Sequence, residues 1–170
     1  MTTIFRAPAT LLRRIRDDLS RDHPFAAERV GFIACRAGGL DNGGLIVVAG
    51  SYHPVADGDY VNDRRFGATM GPAAIRKALT LAYNVGAEDI SVFHIHMHER
   101  RGCPGFSRID LAENAKFVPD FFNAAPRMPH GAIVLSRDQA VGLCWRTREA
   151  RPDPIDRFVS VGAPVEIWTK

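Results

Sequence analysis

The sequence predicts an α/β (α+β) protein in which helices flank a mixed β-sheet. Segments with helical apolar spacing and β-branched apolar runs are interspersed in an irregular order along the chain, which is typical of this class. A length of 170 residues supports one core and is short for two ordinary domains. Because no linker, repeat or low-complexity stretch interrupts the sequence, we treat residues 1–170 as a single domain.

Three segments have the spacing or the end signals of helices. In residues 9–21, leucine and isoleucine recur at helical spacing between charged residues, as on a surface helix. A second helix is predicted to begin at Pro72, since proline suits the first helical turn, and to end before Gly86. Ser107 is a typical cap for a third helix, which we expect to be interrupted near Pro119.

Apolar, β-branched runs predict the strands. Two early runs flank a glycine-rich and asparagine-containing segment, which favours a hairpin, and two late runs form a second pair around Arg137 and Asp138. Between these pairs, one run leads directly into a cluster of histidines. The predicted strands are 29–35, 44–52, 89–96, 131–136, 140–145 and 164–168.

Composition limits the classes of function. With 46% hydrophobic and 24% charged residues and no apolar run long enough to span a bilayer, the chain has no predicted membrane partner. Residues 1–9 lack the apolar core of a signal peptide, so we expect a cytoplasmic protein. A net charge of +3, with basic and acidic residues interspersed, does not indicate a nucleic-acid partner. The three cysteines include no Cys-x-x-Cys pair, which argues against structural disulfides and a zinc knuckle.

The alternating histidines His94, His96 and His98 are the most informative feature of the sequence. On a β-strand, residues two apart project to one face, so two of these imidazoles could bind one metal ion. Asp110, in the first turn of the helix that Ser107 caps, could supply a third ligand, with the serine hydroxyl beside it. Two imidazoles, a carboxylate and an open fourth position are typical of a catalytic zinc.

A hydrolytic zinc centre also needs a general base. Glu28 is the best candidate, because it directly precedes the apolar run 29–35 and could lie at the sheet edge near the end of a neighbouring strand. Taken alone, Glu28 would be a solvated residue, and Ser107 with Asp110 an ordinary helix cap. Only the combination of Glu28, Ser107 and Asp110 with the histidines indicates a catalytic metal site.

Glu28, a His-x-His pair and Ser107-x-x-Asp110, in this chain order, resemble the motif of the JAB/MPN (JAMM) zinc metallopeptidases. The resemblance covers about residues 10–146. Within the family the chain is most similar to the bacterial JAB peptidases associated with ubiquitin-like conjugation operons. Those tend to have a His-x-His-x-His stretch and a Gly-x-Pro-x-Phe-Ser segment, here residues 102–107. This implies a JAB/MPN-like mixed sheet flanked by helices, with cytidine-deaminase-like layering.

The resemblance leaves two registers for the histidine ligands. The family usually has a proline directly after the second metal histidine, and this chain has none there in either register. Relative to the family spacing, His96 with His98 requires one inserted residue before the serine, whereas His94 with His96 requires three. We therefore favour His96, His98 and Asp110 as the Zn²⁺ ligands, with His94 as an alternate ligand or a partner of one.

This resemblance implies that the protein would be a zinc-dependent peptidase or isopeptidase that cleaves after the C-terminal tail of a ubiquitin-like modifier. Glu28 would be the general base, and Ser107 would help to hold the oxyanion. The implied partners are a ubiquitin-like protein or its conjugates and E1/E2-like proteins from the same operon. Two alternatives are processing of a small sulfur-carrier protein and a non-catalytic JAB-fold scaffold. A glycine-rich substrate tail could lie along residues 57–70.

Overall fold

The computed structural model describes residues 1–62, 67–86 and 90–169. Its helices are α1 (Ala9–Leu19), α2 (Pro72–Gly86) and α3 (Arg108–Phe117), with 3₁₀ turns at Asp57–Asp59 and Val118–Asn123. Its strands are β1 (Thr3–Pro8), β2 (Val30–Gly39), β3 (Leu45–Pro54), β4 (Ile90–Met97), β5 (His130–Leu135), β6 (Ala140–Trp145), β7 (Asp153–Pro154), β8 (Arg157–Val161) and β9 (Glu166–Thr169).

These strands form one mixed sheet in the order β7-β6-β5-β4-β2-β3-β1-β8-β9. Strand β1 is parallel to both β3 and β8, and β4 is parallel to β5, whereas the other neighbours are antiparallel. The prediction of a mixed sheet with flanking helices is confirmed. Strands β2 and β4, which carry the candidate site, lie near the middle of the sheet.

Helices cover both faces of the central sheet and divide the core into two layers. On one face, α1 buries its apolar stripe of Leu12, Ile15 and Leu19 against the sheet. On the other face, α2 buries a row of small residues and the 3₁₀ turn after α3 adds larger ones, namely Ala74, Ala78, Ala82, Val118, Phe121 and Phe122. The histidines of β4 face this second layer, since the His94 ring contacts Phe32 and Phe117.

All three predicted helices are present, and α3 passes into a 3₁₀ turn at Pro119, as its sequence indicates. The sequence does not predict β1, β7 or β8. Strand β1 is six residues long and leads directly into α1, and its partners are distant in sequence, since Phe5 pairs with Val47 and Phe158. Among the described residues, no helix combines the length and apolar character needed to cross a membrane.

Candidate metal centre

The register between β2 and β4 brings the candidate base and the histidines to the same end of the sheet. Val30 pairs with His96 in this antiparallel ladder. In an antiparallel ladder, a step back along one strand corresponds to a step forward along the other. Glu28 lies two residues before Val30, so it comes opposite His98, which lies two residues after His96. The side chains meet as this register requires, with 3.9 Å between His98 Nε2 and Glu28 Oε1.

Local contacts hold Glu28 at this end of the strand. On one side, the backbone N–H of Ala27 donates to the carbonyl of Gly67 at 2.9 Å. On the other side, the buried Arg29 donates to Asp57 Oδ1 at 2.6 Å and to the carbonyl oxygens of two residues in the preceding loop. Glu28 is therefore fixed between two anchored neighbours rather than carried on a free loop.

Glu28, His96 and His98 form a compact group that could hold a metal ion. Each offers one ligand atom, and these atoms all lie within 4.8 Å of one another. The His96 side chain is 3% exposed, whereas those of His98 and Glu28 are 21% and 31% exposed. The group is thus anchored on a buried imidazole and remains open to solvent on one side.

The environment of His96 fits a metal ligand. Its Nε2 is buried and has no hydrogen-bond partner among the described residues. An unsatisfied buried nitrogen costs about 1–3 kcal/mol, and a bound cation would remove that cost. Imidazole nitrogens with a carboxylate oxygen are a donor set that Zn²⁺ accepts, so the residues present fit a zinc ion.

Asp110 lies beside His96, outside the compact group of three. Its Oδ2 is 3.6 Å from His96 Nε2. The same oxygen accepts from the backbone N–H of Ser107 at 2.6 Å, and the Asp110 N–H donates to Ser107 Oγ at 3.1 Å, which completes a capping box. The helix-cap and ligand interpretations are therefore compatible, because the cap fixes the carboxylate next to His96.

The Asp110 carboxylate is held in its ionised form. Partial burial raises its pKa, but the adjacent His96 imidazole and the Ser107 N–H outweigh this effect, and the net pKa lies below the ordinary range. A cation site requires a carboxylate that is ionised at neutral pH, and the lowered pKa of Asp110 favours that form.

His94 has a different environment from the other two histidines. Its Nδ1 lies 3.1 Å from Asn114 Oδ1, and it is not a member of the compact group. Burial, together with the neighbouring His96, lowers the pKa of His94 to about 3, so that the ring is neutral. Its Nε2 is also buried without a hydrogen-bond partner in the described chain. The geometry thus brings His96 and His98, rather than His94, together with Glu28.

Asn114 was not expected from the sequence. It is 3% exposed, and its amide orients the His94 ring. The available signal was its spacing, because residues four apart share a helix face and Asn114 follows Asp110 by four. No protein-family model matches this chain, and neither does any curated protein. The interpretation of the centre therefore depends on its geometry and on the motif.

Two clefts meet at Glu28. The first, of about 800 Å³, runs between the end of α1 and residues 97–100 and 105–107. The second, of about 590 Å³, runs between residues 67–70 and α3, with His94 and His96 in its wall. Part of the predicted tail-binding segment 57–70 therefore borders the centre, whereas residues 63–66 of it lie outside the described residues.

Proposed function

We propose that this protein is a zinc-dependent peptidase or isopeptidase of the JAB/MPN type, which cleaves after the C-terminal tail of a ubiquitin-like modifier. The observation that carries the proposal is the group of Glu28, His96 and His98, with its buried and unpartnered His96 nitrogen. The mixed sheet with helices on both faces is compatible with this family.

The residues have distinct roles in this proposal. His96, His98 and Asp110 would hold Zn²⁺, which polarises a scissile carbonyl and makes water a nucleophile at neutral pH when it is bound. Glu28, adjacent to His98, accepts the proton of the attacking water and passes it to the leaving amine. The Ser107 hydroxyl accepts a hydrogen bond from the Asp110 N–H, which leaves its own proton free to donate to the oxyanion.

The two clefts support a substrate that extends on both sides of the scissile bond. Glu28 contributes to the wall of each cleft, so a chain that runs from one to the other passes the proposed base. Gly67 lies beside the proposed base in the second cleft, since a Cβ added there would be 3.8 Å from Glu28 Oε2. In this proposal, the glycine-rich modifier tail lies along this wall beside the base.

The test is the Glu28→Gln variant, assayed on a linear fusion of a reporter to a modifier from the protein's own genomic neighbourhood. We expect wild-type cleavage to stop when a chelator is added. Because general-base catalysis contributes about 10²–10⁴-fold, Glu28→Gln should lose at least about 10²-fold in rate while it still binds zinc. Glu113→Gln is the matched control, since Glu113 lines the second cleft but is paired with Lys116 on the surface of α3.

Glu113→Gln should cleave at the wild-type rate. Full activity of Glu28→Gln would exclude Glu28 as the base. Cleavage that is insensitive to the chelator, or no cleavage of any such fusion by the zinc-loaded protein, would contradict the proposed function itself.

A further inference from the structure

One half of the sheet has a face that no described helix covers to any large extent. Helix α1 packs on one side of β1, β3 and β8, whereas α2 and the 3₁₀ turn Val118–Asn123 pack on β2, β4 and β5. The second face of β3, β1, β8 and β9 is therefore open. We call it the open sheet face; its aliphatic members are Ile4, Ile46, Val48, Val159, Val161 and Ile167.

Strand register places these side chains in rows. One row crosses the sheet through Val48, Arg6, Val159 and Ile167, and the next through Ile46, Ile4, Arg157 and Thr169. The alternate residues of the same strands, such as Phe5, Val47 and Phe158, belong to the core under α1. On the open sheet face, Val48 is 42% exposed, Val161 51% and Ile167 60%. Aliphatic side chains grouped on one exposed face, here with two arginines among them, mark interaction surfaces more often than isolated apolar residues do.

The open sheet face also carries unbalanced positive charge. Arg6 and Arg157 are exposed and diagonally adjacent on β1 and β8. Neither forms an ion pair with any described residue. The only acidic residue in the four strands is Glu166, and it alternates to the opposite face together with Trp168, whose ring lies 5.3 Å from the Arg16 guanidinium of α1.

We propose that the open sheet face docks a protein partner that presents aliphatic side chains flanked by carboxylates. Two neighbouring arginines without an acid repel each other, and a carboxylate from a partner would remove this repulsion. A second copy of the open sheet face would add two more arginines and no carboxylate to the interface. A single-stranded nucleic acid would require aromatic side chains for stacking, and the open sheet face has none. Arginine is enriched at protein interfaces, and the buried centre of an interface is more apolar than the rest of the surface.

The probe is a synthetic amphipathic helical peptide with a leucine stripe flanked by glutamates, and its counterpart has lysines in place of the glutamates. We expect the acidic peptide to shift the backbone amide signals of β1, β8 and β9 in an NMR titration of the full chain. The lysine peptide should bind at least tenfold more weakly. The proposal does not depend on the metal centre, so the titration can be done without metal.

The double variant Arg6→Glu/Arg157→Glu should lose at least tenfold in affinity for the acidic peptide. Arg13→Glu/Arg14→Glu is the matched control, because it makes the same change in charge on the exposed surface of α1. We expect its affinity to stay within twofold of the wild type.

Four results would overturn the proposal. The first is no binding of the acidic peptide up to about 1 mM, the weak end of specific affinities, and the second is equal affinity for the acidic and the lysine peptide. The third is a set of amide shifts confined to other strands, and the fourth is an equal loss of affinity in the two double variants. If sedimentation instead detects a dimer of this chain, and the Ile167→Ser variant is monomeric, the open sheet face is a contact between two copies of the chain. Tight binding of a single-stranded oligonucleotide at this face would make it a nucleic-acid surface.

Discussion

Acid should destabilise this protein through His130, the first residue of β5, which is fully buried. Two backbone groups fix its ring in the neutral form. The N–H of Val92 donates to Nδ1 at 3.0 Å, and Nε2 donates to the carbonyl of Ala125 at 3.0 Å. A second proton, on Nδ1, would therefore meet an N–H group instead of an acceptor. Burial lowers the pKa of His130 from 6.5 to about 4, although the Ala125 carbonyl opposes this shift.

The shift in the pKa of His130 determines both the sign and the size of the effect of acid on stability. Between pH 6.5 and about 4, the unfolded chain binds a proton at His130 that the folded chain does not bind. The contribution of His130 is therefore fully present above pH 6.5 and is lost as the pH falls towards 4. At 1.36 kcal/mol per pKa unit, the free energy of unfolding should fall by about 2–3 kcal/mol across this window.

Urea unfolding at about pH 7.5 and about pH 4.5, with a chelator present, measures this loss. His130→Gln serves as the reference, since glutamine does not titrate. The variant should be less stable than the wild type at neutral pH but should lose about 2 kcal/mol less on acidification. When the loss measured for His130→Gln is subtracted from the loss measured for the wild type, the contributions of the other titrating groups, including His94, cancel. Equal losses in wild type and variant would refute the assignment of a strongly lowered pKa to His130.

Two substitutions test the packing and the helix cap. Gly131→Ala should lower the free energy of unfolding by at least about 2 kcal/mol, because its Cβ would overlap the Leu143 carbonyl oxygen and the Phe93 ring. Gly39→Ala, with no atom within 4 Å of the added Cβ, is the control, and equal stability of both variants in urea would contradict the close approach. Ser107→Ala should cost about 1 kcal/mol, whereas Ser107→Asn keeps a capping side chain and should cost little. Ser107→Ala should also cleave the fusion about 10²–10³-fold more slowly, and wild-type cleavage by this variant would remove the serine from the oxyanion site.

Much of the fold could be predicted because its signals are local. The cap at Ser107, the proline at the start of α2 and the apolar stripe of α1 each act within one or two turns of helix. Strand β1 could not be found in the same way, although Thr3, Phe5 and Ala7 alternate as buried residues. Six residues next to a proline are a weak signal, and the strand is stabilised by partners more than forty residues away, which the sequence does not identify.

The candidate site could be predicted in its composition but not in its detailed geometry. Chain order and strand alternation indicate that Glu28 should lie near the histidines, and the register of β2 and β4 brings it next to His98. The choice between registers could not be made from spacing alone. It depends on the helix α3, from which Asn114 contacts His94 and Asp110 lies beside His96. These contacts result from how α3 packs on the sheet, which is a property of the tertiary fold.

The most direct test of the account is the metal content of the purified chain after zinc loading and dialysis. The expected result is one zinc ion per chain, which His96→Ala and His98→Ala both lose. His53→Ala should keep the zinc ion, because His53 is exposed on β3, is hydrogen-bonded to Ser51 and lies outside the compact group. If the wild-type chain retains no zinc, or if His96→Ala and His98→Ala retain as much zinc as the wild type, the central claim that His96 and His98 bind a metal ion beside Glu28 is contradicted.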